Sequence, residues 1–284
     1  MLDKLDGWIW LDGKMVEWKK STVHTLTQTI HYGSGIFEGE RLYNGKIFKE
    51  KEHNDRLFYS ADLIGMNLPY SKEELLEARR QVVADNNLQD AYIRPHAWYG
   101  PDGMSISSEN HSVHVAIAGW KWTNYYDENS PGLRLNIARW KRPASDCSPS
   151  SGKIVGNYVI ATMAVNEAKS KGFDDSLMLD YRGLVAEATV SNLFFVKNGE
   201  IITPIADCFL DGITRQTVLE IATKLNIKCT EKKVLPAELF DADEVFVCGT
   251  AIEIQPVISI EENTFEKGPI TRQIKNEYEK ITNS

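Results

Sequence analysis

Positive charge is what this chain is short of. Its 40 Asp and Glu residues outnumber 32 Lys and Arg, for a formal net charge of −8. Lys228, Lys232 and Lys233 make only a small cluster, which reads as a solvated face. This balance disfavours non-specific binding to nucleic acid, and no nucleic-acid partner is expected. Long apolar runs are also missing. None approaches the ~18 residues that a membrane span needs, so no membrane partner is expected. The opening Met1-Leu2-Asp3-Lys4-Leu5-Asp6-Gly7 carries no basic or apolar leader, and no secretory signal is expected. Cys147, Cys208, Cys229 and Cys248 form no Cys-x-x-Cys pair. Free thiols in a reducing, cytoplasmic setting are the simplest account.

Familiar binding signatures fail on their spacing. Gly33-Ser34-Gly35 with Gly39 has one residue too many for a dinucleotide loop, and no strand-to-helix turn surrounds it. Gly152-Lys153 looks like the end of a P-loop. However, position 147 is Cys147 where that loop needs glycine, and Ile154 follows the lysine where it needs Ser or Thr. His111 and His114 fall on opposite faces of an expected strand, a poor geometry for a metal, and no metal site is expected.

What is present describes a folded protein. Of the 284 residues, 42% are hydrophobic and 25% charged, enough to bury a core. Trp8–Leu11 and Met15–Trp18 flank Asp12-Gly13, a hairpin signal. A helix is expected over about 53–64 with Gly65 as its stop, and a second after the Ser71/Glu74 capping box. Ala91–Tyr99 and Val113–Trp120 read as strands. The second half reads as strands at 133–138, 177–181, 184–188, 192–196, 200–203, 245–248 and 253–260. Its helices are expected at about 157–171, from Thr214 onward, and at the end of the chain. Strands and helices mix without regular βαβ alternation, which predicts an α+β fold. The polar stretch 123–132 separates an N-terminal domain (1–122) from a larger C-terminal domain (133–284) that carries Lys153.

The residues with chemistry in them lie mostly in that second half. Lys153 sits in Ser151-Gly152-Lys153-Ile154-Val155-Gly156-Asn157-Tyr158, where Ile154 and Val155 would desolvate its amine and Tyr158 could donate to a phenolic oxygen. Glu187 lies in a strand-like stretch, where a carboxylate needs a partner. Gly212-Ile213-Thr214 opens a helix whose free N–H groups suit a phosphate. Gly249-Thr250-Ala251 adds a hydroxyl and backbone donors, and Arg56 could add positive charge. Each has an ordinary alternative: a surface lysine, an exposed edge-strand glutamate, a simple Thr N-cap, a surface ion pair. Together they are what a pyridoxal phosphate enzyme needs: a lysine for the aldehyde, a carboxylate for the ring nitrogen and turns for the phosphate.

The same residues carry a resemblance that runs nearly end to end. Its landmarks are His31-Tyr32-Gly33 with Phe37-Glu38-Gly39, Glu52-His53 with Arg56-Leu57, and Tyr92-Ile93-Arg94-Pro95. Further along come Lys153 with Gly156-Asn157-Tyr158, Glu187 with Asn192-Leu193-Phe194, Gly212-Ile213-Thr214-Arg215, Gly249-Thr250-Ala251 with Glu253, and Gly268-Pro269. In order and spacing the chain resembles the branched-chain aminotransferases, two-domain α+β enzymes of fold type IV with the architecture of the D-amino-acid aminotransferases.

The resemblance implies pyridoxal 5'-phosphate as cofactor and ping-pong transamination of Leu, Ile and Val with 2-oxoglutarate. Lys153 would be the Schiff-base lysine and proton carrier, and Glu187 the partner of the ring nitrogen. Tyr158 would contact the phenolic oxygen, and Arg56, Ile213, Thr214 and Thr250 would hold the phosphate. Phe37, Tyr32 and Tyr125 would wall the substrate pocket, with Tyr92, Arg94 and Ala251 near the substrate carboxylate. The family completes its site from a second subunit, which implies a homodimer or larger homo-oligomer.

Two stretches depart from the family pattern. Ala188-Thr189-Val190-Ser191 replaces a Gly-rich segment, and Gly103-Met104-Ser105-Ile106-Ser107 differs from the usual Gly- and Asn-containing loop. Both bear on substrate range. The alternatives are a transaminase of D-amino acids or (R)-amines, an aminodeoxychorismate-type lyase, or a non-catalytic binding protein on the same scaffold. The Arg-x-His pair of the D-amino-acid enzymes is not found near 100–110.

Overall fold

The structure, a computed structural model, describes residues 5–122 and 130–283. Most of the stretch expected to link the domains, 123–129 with Tyr125 in it, lies outside the described residues. The chain divides into two compact units: Met1–Thr123 with Gly152–Gly156, and Asn124–Ser151 with Asn157–Ser284.

The first unit is built on an antiparallel sheet. Its strands are β1 (Trp8–Leu11), β2 (Lys14–Glu17), β3 (Ile36–Phe37), β4 (Glu40–Tyr43), β5 (Lys46–Ile47), β6 (Ala91–Tyr99) and β7 (Val113–Lys121). They run in the order β2-β1-β7-β6-β4-β5, with β3 also on β6. The β1–β2 turn has positive φ at both Asp12 (47°) and Gly13 (85°), which matches the right-handed twist of the strands it joins. A short helix α1 (Gln28–Tyr32) precedes β3. Helices α2 (Glu50–Leu63) and α3 (Lys72–Asp85) bury Leu57, Ala61, Leu75, Ala78 and Val82 with Leu42, Ile93 and Ile117 of the sheet. Helix α2 begins three residues before its expected start, because Lys49 takes a left-handed φ of 53° and turns the chain into it. Gly65, at φ 65°, lies just past its end. Both arms of the Ser71/Glu74 capping box form at the start of α3.

The segment Gly152–Gly156 is stitched into this first unit. Phe37 N–H donates to Lys153 C=O (3.1 Å), Val155 N–H to Gly35 C=O (2.8 Å) and Gly156 N–H to Gly33 C=O (3.0 Å), while Ile154 joins the core. Lys153 therefore belongs to the N-terminal unit, not to the C-terminal domain expected to carry it. Backbone pairing across a long sequence separation overrides chain order here.

The second unit contains β8 (Leu133–Ile137), β9 (Asp175–Leu179), β10 (Val185–Ala188), β11 (Asn192–Lys197), β12 (Glu200–Pro204), β13 (Cys229–Lys232), β14 (Glu244–Gly249), β15 (Glu253–Ile260) and β16 (Asn263–Thr264). The path β10-β9-β8-β15-β14-β11 closes on itself, because β10 also pairs with β11 through Glu187 and Asn192. Closure covers the edge that β10 would otherwise leave open. Helices α4 (Val159–Ser170), α5 (Ile213–Lys224), α6 (Pro236–Phe240) and α7 (Pro269–Thr282) complete the unit. Among the described residues, no helix is long and apolar enough to cross a membrane.

Candidate active site

In the first unit the site is organised around Phe37. Lys153 Nζ lies 4.7 Å from the Phe37 ring centroid and Arg94 Cζ lies 4.9 Å from it. Arg94 also lies 5.3 Å from the Tyr92 ring, and its Nη2 donates to the Tyr92 hydroxyl (3.3 Å). Gly39 makes room for that hydroxyl: a Cβ there would sit 1.9 Å from it. The main chain of Lys153 is pinned by Ser60 of α2, whose Oγ accepts the Lys153 N–H (2.9 Å) and donates to the Arg56 carbonyl (2.8 Å). The apolar neighbour of the amine is Phe37. Val155, expected to desolvate it, is instead 38% exposed.

Arg56 is held in place by Glu38. Its Nε and Nη2 donate to the two Glu38 carboxylate oxygens at 2.6 and 2.9 Å, and His53 Nδ1 lies 2.6 Å from Oε2. Burial by itself would push the Glu38 carboxyl up. The Arg56 charge, with His53, overcomes this and holds it well below the usual carboxylate range. The guanidinium plane is thereby fixed. Tyr32 is exposed and donates to the Met104 carbonyl (3.1 Å).

In the second unit Glu187 is 6% exposed, so it is not the exposed edge-strand residue of the ordinary reading. A register shift between Val185 and Glu187 in the β9–β10 pairing explains its direction. Strict alternation would place Glu187 on the core face with Val185. Instead Val185 and Ala188 share that core, and the bulge turns Glu187 away. Both its oxygens are engaged: Arg142 Nη2 lies 3.0 Å from Oε1, and Asn192 Nδ2 donates to Oε2 at 3.1 Å.

Asn192 also donates to the Leu210 carbonyl (2.9 Å), next to the start of α5. Gly212 is the N-cap of that helix, with Ile213 and Thr214 its first two residues, both buried. Among the described residues no side chain caps this end, which leaves its first N–H groups and the helix dipole suited to an anion. Thr250 and Ala251 lie in the turn between β14 and β15, half-buried. Tyr158 ends a 3-10 turn, Val155–Tyr158, at the start of α4. The bulk of the 188–191 stretch is turned aside: Thr189 Oγ1 donates to buried Asp175 (2.5 Å), and Val190 is exposed.

The model of the amino-transferase class IV family matches residues 35–260. The chain belongs to the class IV aminotransferases. It is 40% identical over 282 residues to the branched-chain-amino-acid aminotransferase of Pseudomonas aeruginosa, covering 96% of this chain and 92% of that one. It is also similar to solved structures of branched-chain aminotransferases. That of Thermoproteus uzoniensis, determined with norvaline, is 37% identical, with a TM-score of 0.94 over 98% of this chain and 95% of that one. The holo-form from Thermobaculum terrenum, which contains pyridoxal 5'-phosphate, is 31% identical, with a TM-score of 0.90 over 98% of this chain and 94% of that one.

As a class IV aminotransferase, the chain has a donor set that suits pyridoxal 5'-phosphate. It offers a lysine amine on a pinned backbone, a buried carboxylate for a ring nitrogen, and an uncapped helix start for a phosphate. Within the first unit Ser60 and the Glu38–His53 pair hold Lys153 and Arg56, and within the second Arg142 holds Glu187; none of them stands in a chemical role in the sequence motifs. Arg142 carries no local signal. Ser60 could have been found from its place on the inward face of α2, four residues after Arg56.

Proposed function

We propose that the chain transaminates branched-chain L-amino acids (Leu, Ile and Val) with 2-oxoglutarate in a ping-pong cycle using pyridoxal 5'-phosphate. The observation that carries this reading is the Phe37 ring, with the Lys153 amine and the Arg94 guanidinium both within 5 Å of it. A reacting amine, an apolar wall and a cation for a carboxylate thus share one ring. Bound at this site, pyridoxal 5'-phosphate supplies the aldehyde and an electron sink.

Lys153 Nζ would hold the cofactor and, as a free amine, would take the proton from the substrate Cα. Glu187 would accept a hydrogen bond from the ring nitrogen. Tyr158 meets the phenolic oxygen. Arg56, Ile213, Thr214 and Thr250 hold the phosphate, Arg56 from a plane that Glu38 has already set. Phe37 and Tyr32 take the aliphatic side chain by burial, as does Tyr125. Tyr92, Arg94 and the Ala251 backbone receive the carboxylate. Arg94 also eases the need to admit glutamate, whose extra carboxylate an apolar pocket would reject.

A homodimer or larger homo-oligomer in the cytoplasm is part of the same reading. Val23, Leu26, Ile30, Met104 and Ile106 are exposed in the first unit, Ile106 at 78%, and Gln28 Nε2 bonds the Ile106 carbonyl (3.4 Å). Apolar groups this exposed favour cover by a second copy.

The deciding experiment follows the visible cofactor band of the purified holoenzyme without acceptor. L-Leucine is expected to bleach it; D-alanine and an (R)-arylamine are not. Bleaching only by one of those two would overturn the substrate. Turnover without any 2-oxo acid would make the protein a lyase.

A further inference from the structure

We propose that Arg142 is a positioning residue that keeps the proton shared by Glu187 and the cofactor's ring nitrogen on the nitrogen. This rests on the reading that Glu187 faces that nitrogen.

Arg142 is held from both ends. Its main chain extends the pairing at the end of β9, with N–H to the Leu179 carbonyl and its own carbonyl accepting from Tyr181 N–H, both at 2.9 Å. At the other end Nη2 reaches Glu187 Oε1 (3.0 Å) and the Thr189 carbonyl (2.7 Å). Thr189 is tied down in turn by its hydroxyl on Asp175, which accepts a second bond from Ser176 N–H (2.8 Å). The guanidinium therefore cannot swing away from Glu187 without breaking a buried chain of contacts. An ion pair this buried adds little net stability compared with apolar packing, so stability alone does not account for it.

Its charge has a directional effect. With the proton on the ring nitrogen, the order is cation, carboxylate, cation, and Arg142 faces a full negative charge at 3.0 Å. With the proton on Glu187, Arg142 faces a neutral acid and the attraction is gone. Repulsion between Arg142 and the protonated ring acts over a longer path, through the carboxylate, and is the smaller term. Asn192, on the other oxygen, donates a neutral hydrogen bond that also favours the ionised carboxylate. Cys248, the thiol whose charge would bear on Glu187, is driven up by burial and stays neutral. A carboxylate oxygen carries two lone pairs and can accept more than one hydrogen bond, the ring N–H among them.

The test uses holoenzymes loaded with pyridoxal 5'-phosphate labelled with 15N in the ring, read by 15N NMR. The wild type and R142K are expected to show a protonated ring nitrogen. R142Q is expected to shift toward neutral pyridine and to bind the cofactor more weakly in equilibrium dialysis. Thermal melting of the cofactor-free proteins checks folding. Should R142Q not fold, R142M, which keeps the aliphatic length and loses the charge, is read in its place. A folded, loaded charge-free variant with the wild-type 15N shift overturns the proposal. A wild type that binds no cofactor overturns the functional reading instead.

Discussion

Gly212 and Asn192 interlock: a Cβ on Gly212 would lie 2.2 Å from Asn192 Oδ1. The backbone of Gly212, at φ −67°, would accept any residue, so the demand for glycine is purely steric. The start of α5 and the clamp on Glu187 are thus one fitted part. G212A is expected to displace Asn192 from Glu187 at a cost of about 1–3 kcal/mol, the usual range for overpacking. Equilibrium dialysis should show cofactor affinity falling at least ~5-fold, while Gly172→Ala, whose Cβ meets nothing but whose φ of +82° strains the backbone, lowers stability and changes affinity little. Unchanged affinity in G212A would show that Asn192 has somewhere else to go.

Ser60 makes a second prediction. In S60A the Lys153 N–H loses its acceptor in a part-buried setting, which costs about 1–3 kcal/mol. The melting temperature should fall, and kcat should fall with it because the amine's anchor is loosened. A lower melting temperature with unchanged kcat would confine Ser60 to folding.

Acid stability should depend on Glu38. Its carboxyl is held below its ordinary value in the folded protein, so it stabilises the fold above the ordinary carboxylate range. That contribution is lost as pH falls from there toward its folded value. E38Q leaves Arg56 and His53 without their counter-charge and is expected to cost about 3–5 kcal/mol at neutral pH. The gap between E38Q and wild type should narrow as pH is lowered through the carboxylate range. Thermal melts across pH check this, and a constant gap would contradict it.

Thiol chemistry should be selective. Burial pushes Cys208 up to about 12 and Cys229 up to about 11, and Cys248 is fully buried, while Cys147 is exposed. Mass spectrometry after brief alkylation near pH 8 should find the label on Cys147. Early labelling of Cys208 would mean that the β9–β10 region opens readily.

R94M should raise KM more for 2-oxoglutarate than for leucine, because the oxo acid carries a second carboxylate and leucine an apolar chain. Equal rises would place Arg94 on the shared carboxylate alone.

Much of the fold could be read locally. Asp12-Gly13, the Ser71/Glu74 box, Gly65 and the strand Ala91–Tyr99 are set over a few residues, and all formed as expected. Lys153 and Glu187 stand out because each is a charge among apolar neighbours. What stays hidden depends on distant pairing. Nothing near Arg142 points to Glu187, 45 residues on. The bulge that aims Glu187 exists only against β9. Short elements such as α1, β3 and β5 are too brief to show a period. The exposure of Val155 is hidden for a simpler reason: local apolarity does not report which way a side chain faces.

The stitching of Gly152–Gly156 onto Gly33, Gly35 and Phe37 also bears on how the chain matures. When the first 122 residues have left a ribosome, their sheet still lacks the piece that satisfies those three backbones. The piece arrives only after the opening strand of the second unit and a loop have been made. Synthesis therefore delivers Lys153 as the closing part of the earlier unit, and a release of the nascent chain before that point yields a fragment with an open seam and without that lysine.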